Sequence, residues 1–175
     1  MAGEHANDFE GAFEYTVGRE GLFSDDPHDP GNWTGGDCGK GELRGTKYGI
    51  SAKAYPGLDI KNLSLQQAKE IYERDYWAAA MCHTLPPAIA FCVFDCAVNQ
   101  GVSRALRCLQ RAIGVNDDGR FGPHSRAALV RFDPDDVVEY FQAERVLEYV
   151  LAGTWEKYKR GWMRRVIGTA VEASC

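Results

Sequence analysis

Phe9, Phe13 and Val17 recur every four residues, which places them on one face of a helix spanning roughly residues 7–17. Asn7, with Glu10 three positions on, reads as the capping pair at its start. The periodicity then lapses. From Asn32 to Gly45 the chain carries five glycines and, as large apolar residues, only Trp33 and Leu43, so this stretch predicts a loop or small hairpin. Thr46-Lys47-Tyr48-Gly49-Ile50 predicts a short strand or the lead into a helix capped by Ser51.

Helical spacing resumes at Ser64. Ser64-x-x-Gln67 is a capping box, and Leu65, Ala68, Ile71, Tyr72, Tyr76 and Ala79 form one stripe of a helix reaching about Ala80. Pro86-Pro87 opens a helix through Asn99 that is apolar on most sides, so it predicts the buried central helix. Asp95 and Asn99 are its polar exceptions and share one stripe, where they either satisfy buried groups or line a cleft. Ser103 predicts the cap of a helix to Ile113, stopped by Gly114, with Leu106, Leu109 and Ile113 inward. Gly122-Pro123 starts a short helix to Phe132, and Asp133-Pro134-Asp135-Asp136 starts a longer one. Tyr140, Ala143, Leu147 and Val150 mark the expected buried face of the latter, and Gly153 ends it. A last helix carries Trp155, Tyr158, Trp162, Val166 and Ile167 inward. Its other faces hold five basic side chains against the single acid Glu156 over residues 153–171, a solvated face or one that meets an anionic polymer. Helices flanking one irregular segment predict a mostly α fold with a small α+β lobe.

Composition narrows the function. With 45% hydrophobic and 26% charged residues in 175, the chain suits one medium domain or two small lobes sharing a cleft. A net charge of −5 argues against nucleic acid as a partner. Ala88–Phe94, the longest apolar run, is too short to span a bilayer. Met1 to Asp8 is polar and shows no signal peptide, so synthesis and folding in the cytoplasm are expected. The six cysteines are read as reduced: Cys92, Cys96 and Cys108 fall in helical patterns, and no Cys-x-x-Cys pair points to zinc among Cys38, Cys82, His83, Cys92 and Cys96. No metal and no cofactor are expected.

The candidate chemistry lies in Gly18–Gly31. Glu20 falls three residues past Val17, close to the apolar face as the first helix ends, where low dielectric raises a carboxyl pKa. Gly21 allows a sharp turn, and Asp29 supplies a second carboxylate across it. A neutral glutamic acid facing an ionised aspartate is the pairing that glycoside hydrolysis uses.

Several motifs, in order, resemble glycoside hydrolase family 108, the N-acetylmuramidases found as phage lysins and bacterial wall-remodelling enzymes. They are Arg19-Glu20-Gly21, Asp29-Pro30-Gly31, Thr46-Lys47-Tyr48-Gly49-Ile50, Ile71-Tyr72-x-x-Asp75-Tyr76-Trp77 and Phe94-Asp95-x-Ala97-Val98-Asn99-x-Gly101. Leu109–Gly114, Asp118-Gly119-x-Phe121-Gly122-Pro123 and Gly161-Trp162-x-Arg164-Arg165 follow. Leu22 stands where the family motif has its second glycine, and Asn32–Arg44 reads as an insertion.

The resemblance implies a mainly α, lysozyme-like fold: a helical bundle with a small irregular β lobe forming a cleft. It implies a catalytic region over residues 1–95 and a helical peptidoglycan-binding region over 96–175. The implied reaction is cleavage of the bond after N-acetylmuramic acid in peptidoglycan strands; a monomer with no stable membrane insertion is expected. Glu20 matches the family's catalytic acid; Asp29, with Asp25 or Asp26 as alternatives, is the second carboxylate, and Thr46 positions water. Tyr48, Trp77, Asp95, Asn99 and Gln100 are candidates to line the substrate site. The rivals are a lytic transglycosylase using the same glutamate and a non-catalytic wall-binding or phage structural module. A wall substrate further implies delivery from the cytoplasm by holin, phage particle or another export route.

Overall fold

The computed structural model describes residues 8–18 and 23–174. Glu20 and Asn7 lie outside the described residues. The chain divides into two compact units, one of Met1–Ala12 with Glu73–Cys175, the other of Phe13–Tyr72. Helix α1, Phe9–Thr16, is capped by Asp8, whose Oδ1 accepts from the Gly11 N–H at 2.9 Å.

In the Phe13–Tyr72 unit, Phe13, Val17, Ile50, Ile60, Leu63, Ile71 and Tyr72 form the core. The glycine-rich stretch is a hairpin. Trp33 pairs with Leu43, the Thr34 N–H donates to the Glu42 carbonyl at 3.0 Å, and Gly35 donates to Lys40 at 3.1 Å. Two short strands follow, β1 (Thr46–Lys47) and β2 (Ile50–Ser51), antiparallel with Thr46 opposite Ser51 and Lys47 opposite Ile50. Tyr48 and Gly49 join them with φ of +52° and +73°, the left-handed pair a tight hairpin turn requires. Ser51 therefore belongs to a strand and caps no helix. Helix α2, Leu65–Tyr72, has its capping box: the Gln67 N–H donates to Ser64 Oγ at 3.2 Å, and the Ser64 N–H donates to Gln67 Oε1 at 2.9 Å.

The other unit is helical. Residues Glu73–Ala78 form a π-helical turn. Its wider winding shifts the side-chain register, so Ala80 is buried where the simple stripe expects Ala79, which is exposed. Helix α3, Pro87–Gln100, starts on its proline and is buried without a break from Ile89 to Ala97. Gly101, at φ +94°, turns directly into α4, Val102–Ala112. No residue is spare for the expected cap, and Ser103 sits inside the first turn. Gln110 clamps the following turn: its Oε1 accepts from Gly119 N–H at 2.8 Å, and its Nε2 donates to Asp118 Oδ1 at 2.8 Å.

After α5, Pro123–Leu129, come α6, Pro134–Leu151, and α7, Trp155–Ser174. Asp133 caps α6 through the Asp135 N–H at 2.9 Å. The apolar stripe read as its buried face points outward: Tyr140 is 47%, Leu147 54% and Val150 48% exposed. Val137, Val138, Phe141, Gln142, Arg145 and Tyr149 are buried instead. The face turns inward because Arg145 meets Asp95, fifty positions earlier in the chain. Ile167 of α7 also faces outward while Val166 and Thr169 are buried. No described helix is long and apolar enough to cross a membrane.

Candidate active site

Asp29 opens a single helical turn, Pro30–Asn32. Its Oδ1 accepts from the Gly31 N–H at 2.8 Å, and Pro30 occupies the position where a missing N–H costs nothing. The side chain is exposed, and its other oxygen has no partner among the described residues. Asp26 is also bound into the turn, accepting from the His28 N–H at 2.9 Å, whereas Asp25 has no bond to a described residue.

The residue that organises this region is Asn32, fully buried and read from the sequence only as the start of a loop. Its Nδ2 donates to the Asp26 carbonyl at 3.0 Å, and its Oδ1 accepts from Thr46 Oγ1 at 2.7 Å. Its own carbonyl accepts from the Arg44 and Gly45 N–H groups, both at 3.0 Å. One side chain thus fixes the acidic turn against β1. Ser24 adds a second tie, exchanging backbone hydrogen bonds with Thr46 at 2.8 and 2.9 Å. Because Thr46 spends its proton on Asn32, its oxygen is left to accept from a water or a sugar hydroxyl. The structure ties Thr46 to the acidic turn through Asn32, whose own N–H donates to the Asp29 carbonyl at 3.1 Å. Tyr48 follows in the same unit, half-buried, its carbonyl accepting from the Tyr72 hydroxyl at 3.0 Å.

The other candidates belong to the helical unit. Trp77 is half-buried in a cluster of rings, with centroids 5.6 Å from Phe94 and 5.7 Å from Phe9. Asp95 does not line a substrate site. It is fully buried, and its oxygens accept from Arg145 Nη2 at 2.6 Å and from Arg165 Nη2 at 2.6 Å and Nε at 2.9 Å. Burial alone would raise its carboxyl pKa; the two guanidiniums outweigh that and hold it below the ordinary range. Asn99 is exposed and accepts from the Tyr149 hydroxyl. Gln100 Oε1 accepts from Arg145 Nε at 3.2 Å and from the Cys96 thiol at 3.1 Å. Cys82, Cys92, Cys96 and Cys108 are buried, and burial pushes the Cys92 thiol up to about 12.

The sequence model of Glycosyl hydrolase 108 matches residues 13–101, more than half of the chain, including the acidic turn, β1 and all of α3. The chain belongs to glycosyl hydrolase family 108. The family 108 enzyme is similar to the solved structure of Brucella abortus SagA at 27% identity, with a TM-score of 0.78 over 94% of this chain and 92% of that one. No curated protein sequence matches it. The family makes this chain a glycoside hydrolase, and its mainly α, lysozyme-like fold is the one the motifs imply.

Proposed function

We propose that this family 108 enzyme is an N-acetylmuramidase, hydrolysing the β-1,4 bond between N-acetylmuramic acid and N-acetylglucosamine in peptidoglycan. Glu20 is the general acid: its protonated carboxyl gives a proton to the leaving glycosidic oxygen as positive charge builds on the sugar carbon. Asp29 remains ionised and stabilises that charge or orients the attacking water, which Thr46 holds. Tyr48, Trp77, Asn99 and Gln100 contact the glycan, and Asp95 supports its helix from beneath. Residues 1–95 carry the chemistry and residues 96–175 bind the wall. The scheme needs no metal or cofactor. The enzyme works as a monomer on glycan strands, with no stable membrane insertion and no nucleic-acid partner. It is made in the cytoplasm and reaches the wall through a holin, a phage particle or another export route.

One observation carries this reading. In a family 108 chain, Asp29 keeps a carboxylate oxygen free while Thr46 presents an acceptor oxygen, and the buried Asn32 bonds the Asp29 carbonyl through its N–H and the Thr46 hydroxyl through its side chain. The test is clearing of purified peptidoglycan by wild type and Glu20→Gln, with product ends identified by mass spectrometry. Reducing muramic acid ends that vanish in the variant support a muramidase with Glu20 as acid. Anhydro ends support a transglycosylase. Wall binding without cleavage by either protein supports a binding module.

A further inference from the structure

A groove of about 480 Å3 lies within the Phe13–Tyr72 unit. Phe23, Leu43 and Ile60 are its apolar lining, and Asp25, Arg44, Asp59 and Lys61 are its polar lining. Phe23 is held in place by Gly45. That glycine has φ +83°, and a Cβ there would stand 2.6 Å from the Phe23 ring and 2.5 Å from the Ser24 carbonyl oxygen. The ring therefore rests against bare backbone, half-buried.

Two of the four charges are spent. Arg44 pairs with Glu42 at 2.5 Å and donates to the Pro56 carbonyl at 3.1 Å. Asp59 accepts from the Asn62 side chain at 2.9 Å and its N–H at 3.3 Å. Those two bonds hold the Asp59 carboxyl below its ordinary range, with Arg44 and Lys61 adding to them. Asp25 and Lys61 remain. Both are exposed, and neither side chain has a hydrogen bond or ion pair with a described residue.

An apolar platform flanked by one free acceptor and one free donor matches a pyranose. The C–H face lies on the Phe23 ring and the exposed Leu43, the carboxylate takes a hydroxyl or acetamide N–H, and the ammonium gives to a hydroxyl or carbonyl oxygen. Inverting and retaining glycoside hydrolysis both use a pair of carboxylates. Here the second, Asp59, is committed to Asn62, so the groove binds without cutting. We infer that this groove is a glycan subsite that holds one sugar of the strand away from the scissile bond, with Phe23 as platform and Asp25 and Lys61 as its polar contacts. The inference rests on the muramidase reading for the identity of the strand.

The test uses soluble, peptide-free strands of alternating N-acetylglucosamine and N-acetylmuramic acid. Their affinity for the full chain is measured by calorimetry in the Glu20→Gln background, and kcat and KM are measured in the otherwise wild-type chain. Lys61→Ala and Asp25→Asn each weaken strand binding by about 3–10-fold, the worth of one or two hydrogen bonds. KM rises in step while kcat holds, and the melting temperature is unmoved because both side chains are exposed. Unchanged affinity and KM in both variants overturns the subsite. So does a fall in kcat at constant KM in Asp25→Asn, which would put Asp25 in the chemistry. If the wild type cuts nothing but Lys61→Ala still weakens strand binding, the subsite stands and the muramidase reading falls.

Discussion

Asn32 ties the acidic turn to β1 from a fully buried position. Thr46 and the Asp26 carbonyl both bond to it, and both lose that partner when it is removed. Asn32→Ala is expected to cost about 1–3 kcal/mol in urea unfolding, the net worth of its two side-chain hydrogen bonds. Its activity falls as well, since the acidic turn and β1 lose their common anchor. Asp29→Asn behaves differently. The amide oxygen still accepts from the Gly31 N–H, so the turn and the melting temperature persist, while kcat drops by about 100-fold or more with the loss of the charge. A steady-state assay with a thermal melt on the same sample separates the two effects. Asp29 stands out in the sequence as a candidate because a carboxylate spaced from Glu20 across a turn has a chemical meaning by itself. Asn32 was not legible. Its partner Thr46 lies fourteen positions away, and an asparagine in a glycine-rich stretch shows no period that marks it as buried.

Elements that close on local rules were the legible ones. The Ser64–Gln67 box, the Asp133 cap and the proline start of α3 are all formed as the sequence implies. The elements that departed were decided by distant partners or by a change of winding, as on α6 and in the π-helical turn after α2. Gly45 lies between these cases. It reads as one glycine among five, but it alone both takes a left-handed φ and abuts the Ser24 backbone and Phe23 ring. Gly45→Ala is expected to destabilise the protein by about 2–3 kcal/mol, since the φ is strained for any Cβ and the nearest obstacle is backbone. Chemical denaturation measures this. Strand affinity should fall in the same variant as the displaced Phe23 ring loses its place. Gly39, also at positive φ but with open space around it, should tolerate alanine with only the smaller cost of the φ itself.

At the scale of the molecule, the helical unit is pinned by the ion cluster of Asp95, Arg145 and Arg165, which joins α3, α6 and α7. The sequence showed Asp95 as a polar exception on an apolar helix and left two roles open; its burial selects the structural one. Arg145 is fully buried, so removing its partner strands a charge in low dielectric, and Asp95→Asn is expected to cost about 3–5 kcal/mol. Arg165 is 29% exposed at the side chain, so solvent screens its share, and Arg165→Met should cost clearly less than Arg145→Met. The cluster also fixes a pH dependence. The folded carboxyl titrates below its unfolded value of 3.8, so its contribution is complete above that range and is lost as pH falls through the folded pKa. Urea midpoints of the wild type should therefore hold from pH 7 to about pH 5 and drop steeply below pH 4. In Asp95→Asn the midpoint starts lower at neutral pH and its acid-side slope is shallower, because the group that would take up the proton is gone. A variant whose acid slope matches the wild type would place the acid-sensitive carboxylates elsewhere and reduce the cluster to packing.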